Sequence, residues 1–111
     1  MTKKTPSIPT RLKWLPQAIT LLENIYDYYS KKSECSAVRL YNRIIDSADL
    51  LKTFPHAGPL EPSLKDFPQN FHSFVVEKHY KLIYTISPDL IEIHAIWDCR
   101  QDDWKLKEMF R

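Results

Sequence analysis

"FHSFVVEKHYKLIYTIS", Phe71 to Ser87, is the stretch whose reading decides the fold. Apolar and polar residues alternate on both sides of a polar break at Glu77, Lys78 and His79, the pattern of two strands joined by a tight turn. On the second strand Tyr80, Leu82, Tyr84 and Ile86 are expected on one face, with Lys81, Ile83 and Thr85 on the other. "SPDL", Ser87 to Leu90, repeats the turn signal and leads into a third run, Ile91 to Asp98. There Ile91, Ile93, Ala95 and Trp97 are expected to oppose Glu92, His94, Ile96 and Asp98. Links this short imply an antiparallel meander. One face of it is expected against the rest of the protein, the other half polar and open.

Upstream of the meander the period changes. Leu15, Ile19, Leu22, Ile25, Tyr26 and Tyr29 recur at three- and four-residue spacing after a proline suited to a first helical turn, Pro16. Lys31 and Lys32 are expected in the last turn of that helix. Ser33 or Ser36 can cap a second helix with the stripe Ala37, Leu40, Tyr41, Ile44, Ala48 and Leu51. Pro55 stops it near Phe54. The two form an antiparallel hairpin.

"FPHAGPLEPSLKDFPQN", Phe54 to Asn70, holds four of the eight prolines and the single glycine, and reads as a long packed connector from helices to sheet. A short strand is expected from about Ile8 or Thr10 to Trp14, with residues 1–9 fraying at the start. Strand, helical hairpin and three-stranded meander make an α+β domain with helices packed on one face of the sheet. The tail from Cys99 to Arg111 has Trp104, Leu106 and Phe110 to pack as a terminal turn or helix.

At 111 residues the chain is expected to be a single domain. Its net charge of +2 is unevenly spread. Lys3, Lys4, Arg11 and Lys13 supply about +4 before any acid, leaving roughly −2 on the remainder. No broad basic face for nucleic acid is evident, so any phosphate site must be local. Cys35 and Cys99 fit no metal spacing and are read as reduced thiols of a cytoplasmic protein. The lone Gly58 excludes glycine-rich phosphate loops, and no 18-residue apolar run is present to span a membrane. No metal and no cofactor are expected. His56 and His94 are read as loop and sheet residues.

The order of elements, with "WLPQAITLLENIYDYY", "LLKTFPHAG", "HYKLIYTI" and "IWDCRQ" in series, resembles the RelE/ParE superfamily of toxins from type II toxin-antitoxin systems. The resemblance runs from about Arg11 to Leu106. It implies a toxin held inactive by a cognate antitoxin that wraps a segment over it. One branch of the superfamily cleaves messenger RNA in the ribosome and the other poisons DNA gyrase without a reaction of its own; ribosome-dependent cleavage is the expected activity here, with gyrase inhibition as the alternative. A module that has lost toxicity is a third outcome.

RNA cleavage by attack of a ribose hydroxyl on its phosphate needs a base, an acid and cations over the transition state. His79 can move a proton near neutral pH, and Lys81 and Arg100 complete the expected catalytic set. Lys78 and His72 are the expected substrate-binding residues. The turn cluster is equally readable as a solvated hairpin tip, and Arg100 as the partner of Asp98, Asp102 or Asp103. Arg100 matches the arginine just past the last strand in many relatives. His72 stands where many carry an arginine, and Trp104 and Phe110 cannot replace their C-terminal tyrosine or histidine. For the gyrase branch, Arg39, Arg43 and Lys52 on the helical hairpin are the candidate contacts.

Overall fold

The computed structural model describes residues 11–111. The expected fraying of residues 1–9 and any strand before Arg11 lie outside them. Strand β1 (Arg11–Trp14) leads into helix α1 (Pro16–Ser30), which opens on Pro16 as its missing N–H and fixed φ favour. The Leu15 N–H bonds the Ile93 carbonyl at 3.0 Å and ties the helix start to the sheet. Helix α2 (Glu34–Thr53) is capped by Ser33, whose hydroxyl accepts the Ser36 N–H at 3.2 Å. Lys31 and Lys32 fall just past α1 rather than within its last turn.

Strands β2 (His72–Val76), β3 (Tyr80–Ser87) and β4 (Leu90–Asp98) form the expected antiparallel meander. The sheet order is β1-β4-β3-β2, and β1 runs parallel to β4, so the sheet as a whole is mixed. Helix α3 (Asp103–Met109) closes the chain.

The face assignment of β4 needs a correction. Ile83 pairs with Ala95 but Tyr84 pairs with Ile93, so His94 is an extra residue on β4. Such a bulge reverses the in–out alternation beyond it. Ile91 and Ile93 face the hairpin as expected, but it is Ile96 that joins them in that core, with Leu82, Tyr84, Ala18, Leu22, Ile44 and Leu51. Ala95 and Trp97 turn to the opposite side.

That opposite side is covered, not open. Ile83, Ala95 and Trp97 form a second buried cluster with Leu64 and Phe71 from the proline-rich connector and Leu106 from α3. The connector laces along the β2 edge, with Ser73 N–H to the Pro59 carbonyl at 3.0 Å and Glu61 N–H to the Phe71 carbonyl at 2.8 Å. Gly58 lies so close to β2 that a Cβ there would collide with the Ser73 carbonyl. The buried Tyr84 hydroxyl donates to the Pro55 carbonyl at 2.7 Å and accepts the Gly58 N–H at 3.0 Å.

The helical stripes hold in the main, with Leu22, Ile25 and Tyr29 of α1 and Ala37, Leu40, Ile44, Ala48 and Leu51 of α2 buried or packed on the core, and depart from expectation at single positions. Ala18 is buried on α1 while Ile19 is exposed, and Tyr41 of α2 points outward. Ala18 and Ala48 are fully buried in the core between helices and sheet.

Candidate functional site

The end of the sheet where β3 starts and β4 stops gathers most of the polar chemistry. Arg100, one turn past β4, grips Asp98 with both arms of its guanidinium, Nε to Oδ1 at 2.9 Å and Nη2 to Oδ2 at 3.0 Å. Its backbone N–H also reaches Oδ1 at 2.9 Å. Nη2 lies 3.4 Å from the Tyr80 hydroxyl, which in turn is 3.1 Å from that of Tyr29 on α1. A cavity of about 640 Å³ opens beside this network, lined by Leu21, Ile25 and Tyr28 of α1 and by Ile96, Trp97 and Arg100, among others.

The electrostatics follow from these contacts. The Arg100 guanidinium holds the Asp98 carboxyl below the usual range, chiefly by direct hydrogen bonding. The guanidinium itself becomes still harder to deprotonate. Burial pushes the Tyr80 hydroxyl up, and the hydrogen bond from Tyr80 draws that of Tyr29 down. Arg100 is therefore ion-paired to Asp98 while its side chain stays half exposed.

The turn from Glu77 to His79 stands at the same end of the sheet. Glu77 and Lys78 both take left-handed backbone angles, φ 52° and 67°, which L-residues adopt at a cost of about 1 kcal/mol or more each. Glu77 is tethered to Arg43 of α2 at 3.3 Å. Lys78 and His79 are exposed, and the His79 carbonyl accepts the Cys99 N–H at 2.6 Å.

Lys81 and His72 are both tied to the connector. Lys81 sits across from Trp97 on the connector side of the sheet, where its ammonium meets the Glu61 carboxylate at 2.6 Å. Burial pushes the Glu61 carboxyl up, but the bonds from Lys81 and the Ser63 N–H outweigh it and hold it below its ordinary value. His72, at the far end of β2 from the turn, is stacked on Tyr84 at 5.4 Å with Nδ1 2.8 Å from the Gly58 carbonyl. The five residues expected from the sequence thus divide: Lys78, His79 and Arg100 share one end of the sheet, Lys81 stands at that end on the connector face, and His72 joins the connector to the far end.

Glu61 was missed in the sequence. Its signal is an acid set between Leu60 and Pro62, with apolar Leu64 and Phe71 following. The Tyr29–Tyr80 pair joins residues from a helix and a strand, and no local spacing announces it. Among the described residues no group of three or more His, Cys, Asp or Glu side chains gathers as a metal site. Nor is any described helix long and apolar enough to cross a membrane.

A helical hairpin laid on a mixed four-stranded sheet agrees with the build expected of a RelE/ParE-superfamily toxin. The family model described as the ParE toxin of type II toxin-antitoxin system, parDE, matches residues 12–103, and the chain belongs to this family. It is the toxin half of a pair whose other half is a cognate antitoxin.

Among solved structures, a chain of the chromosomal ParDE toxin-antitoxin system from P. aeruginosa has a similar fold. Its TM-score is 0.68 at 22% identity, covering 83% of this chain and 98% of that one. A chain of the YoeB dimer from Staphylococcus aureus aligns with a TM-score of 0.46 at 22% identity, over 78% of this chain and 93% of that one. No curated protein sequence matches.

Proposed function

We propose that this toxin arrests growth as a binding inhibitor of DNA gyrase in the cytoplasm, with no chemical step of its own. One observation carries the reading. The cations that RNA cleavage would need do not converge: Lys81 is paired with a buried carboxylate on one side of the sheet, and Arg100 is held by Asp98 at the sheet end beside α1. Phosphate catalysis requires charges aimed at one developing oxyanion. Membership of the ParE family supports the same branch.

The contact surface in this reading is α3 and the neighbouring turn. Trp104 is 62% exposed on α3, with the Lys105 ammonium 5.8 Å from its ring centre. An exposed tryptophan beside a cation is a common anchor of protein interfaces. Of the hairpin cations, Arg43 is tied to Glu77 and Lys52 to Asp49, which leaves Arg39 without an ion pair among the described residues.

A second reading has one observation in its favour. His79, Lys78 and Arg100 do share an end of the sheet, where ribosome-dependent RNA cleavage would have to run without Lys81.

Purified toxin added to gyrase and relaxed plasmid tests the proposal. Loss of supercoiling, with translated message left intact in a parallel primer-extension assay, is the expected result. Undisturbed supercoiling with cuts confined to translated message would replace the gyrase reading by the nuclease one.

A further inference from the structure

The cavity of about 640 Å³ beside Arg100 takes no part in the gyrase contact proposed above. β1 pairs only with Leu90 to Ile93, so Ile96 to Asp98 lie beyond its cover, and these three residues line the cavity. Leu21 and Ile25 of α1 and Met109 of α3 complete an apolar wall with Ile96. The volume falls in the range of about 300–1,000 Å³ that small organic ligands occupy.

Donors at this cavity outnumber acceptors. Both Asp98 oxygens already accept from Arg100, through Nε and Nη2. Nη1 of Arg100 has no acceptor among the described residues, and the side chain is 52% exposed. Tyr28, another wall of the cavity, holds the Lys32 ammonium 4.7 Å from its ring centre and accepts a hydrogen bond from it at 3.1 Å. Lys32 has no carboxylate partner among the described residues. Asp98 and Arg100 offset each other, so the ammonium remains as one surplus positive charge beside an apolar wall. The amides of Asn24 and Gln101 at the same cavity add further donors.

We propose that this cavity binds a small organic acid, an apolar body carrying a single carboxylate. The body lies against Leu21, Ile25, Ile96 and Met109, and the carboxylate meets Nη1 of Arg100 and the Lys32 ammonium drawn over Tyr28. The occupant follows from the count of partners. Donors without acceptors call for a group that only accepts, which an ionised carboxylate is. One surplus positive charge matches one negative charge, whereas a doubly charged phosphate would set its second charge against Asp98. The apolar wall favours a ligand with a hydrocarbon body over a bare hydrated anion. Asp98 already takes the two-pronged edge of the guanidinium, so the ligand's bond to Arg100 is end-on.

The test titrates the full-length toxin with 1-naphthoate and, separately, with its uncharged analogue 1-naphthamide, following heat and the methyl NMR signals of Ile25, Ile96 and Met109. Saturable binding of the acid is expected, with shifts concentrated at those three methyl groups, and the amide is expected to bind about tenfold more weakly for want of a charge-assisted hydrogen bond. Lys32→Gln and Arg100→Gln are each expected to weaken the acid about tenfold and to leave the amide nearly unchanged. Ile25→Ala should weaken both ligands. Arg11→Gln removes a positive charge at the other end of the sheet and should change neither. Lys32 is exposed, so its variant keeps the test sound even where Arg100→Gln fails to fold. Equal affinity for acid and amide overturns the proposal, as does undiminished acid binding in Lys32→Gln. No saturation below about 10 mM, or shifts centred on residues away from the cavity, overturns it too. Binding is read with no gyrase present, so this proposal and the gyrase reading fail separately.

Discussion

Lys81 and Glu61 meet at 2.6 Å between strand β3 and the proline-rich connector, the lysine side chain 16% exposed and the glutamate 2%. Taking away one partner leaves the other charge buried and alone. Lys81→Met is expected to lower stability by about 3 kcal/mol in urea unfolding, and Glu61→Gln with Lys81→Met together to recover most of it. Any loss of toxicity in Lys81→Met should then track the unfolded fraction. Reduced toxicity in a fully folded Lys81→Met protein would instead give the lysine a direct role.

Acid is expected to destabilise the protein in two windows. Burial holds the His94 imidazole below its ordinary pKa, against a smaller opposing pull from Glu92. The unfolded chain therefore takes up a proton first, and stability falls as pH drops below about 6.5. The Glu61 carboxyl is depressed, so its contribution is full above about pH 4.3 and is lost as pH falls through the lower folded value. Melting temperature against pH should lose the upper slope in His94→Gln and show a shallower lower one in Glu61→Gln, the rest of which belongs to other depressed carboxylates such as Asp98. Identical profiles in parent and variants would contradict both assignments.

Arg100→Ala and His79→Ala are expected to leave growth arrest intact if the toxin acts by binding gyrase through α3. Trp104→Ala should relieve it while the circular dichroism spectrum stays native. Carboxyl NMR on Arg100→Ala should show the Asp98 pKa rising toward the ordinary value, because its guanidinium partner is gone. Arrest abolished by either of the first two changes in a folded protein would return the nuclease reading to first place.

Ile44→Ala is expected to cost about 2–5 kcal/mol, since Ile44 is fully buried between hairpin and sheet and the change opens a cavity. Tyr84→Phe is expected to cost about 1–3 kcal/mol, as it strips the Pro55 carbonyl and Gly58 N–H of a buried partner. Chemical denaturation checks both. A cost near zero for Tyr84→Phe would mean that water replaces the hydroxyl.

Periodicity disclosed the elements of this fold, because each helix and strand writes its own repeat. Ser33, Pro16 and Pro55 marked the helix ends within a residue or so, since capping and proline sterics are local. What spacing could not disclose was the extra residue at His94, as a bulge leaves the apolar count of β4 unchanged while reversing half of it. The second core and its covering connector followed from that one reversal. The candidate site was legible only in part for a related reason. Lys78, His79 and Arg100 lie near one another through neighbouring strand ends, whereas the buried Glu61 that occupies Lys81 comes from a loop whose path no local rule fixes.

The parallel pairing of β1 with β4 sets an order of events during synthesis. Arg11 through Trp14 must wait for Leu90 through Ile93, so nearly the whole chain has to leave the ribosome before β4 can take its place between β1 and β3. A chain that stops before Leu90 lacks one of the two interior strands of its own sheet. β1 is then left without the one strand it pairs with in the described sheet.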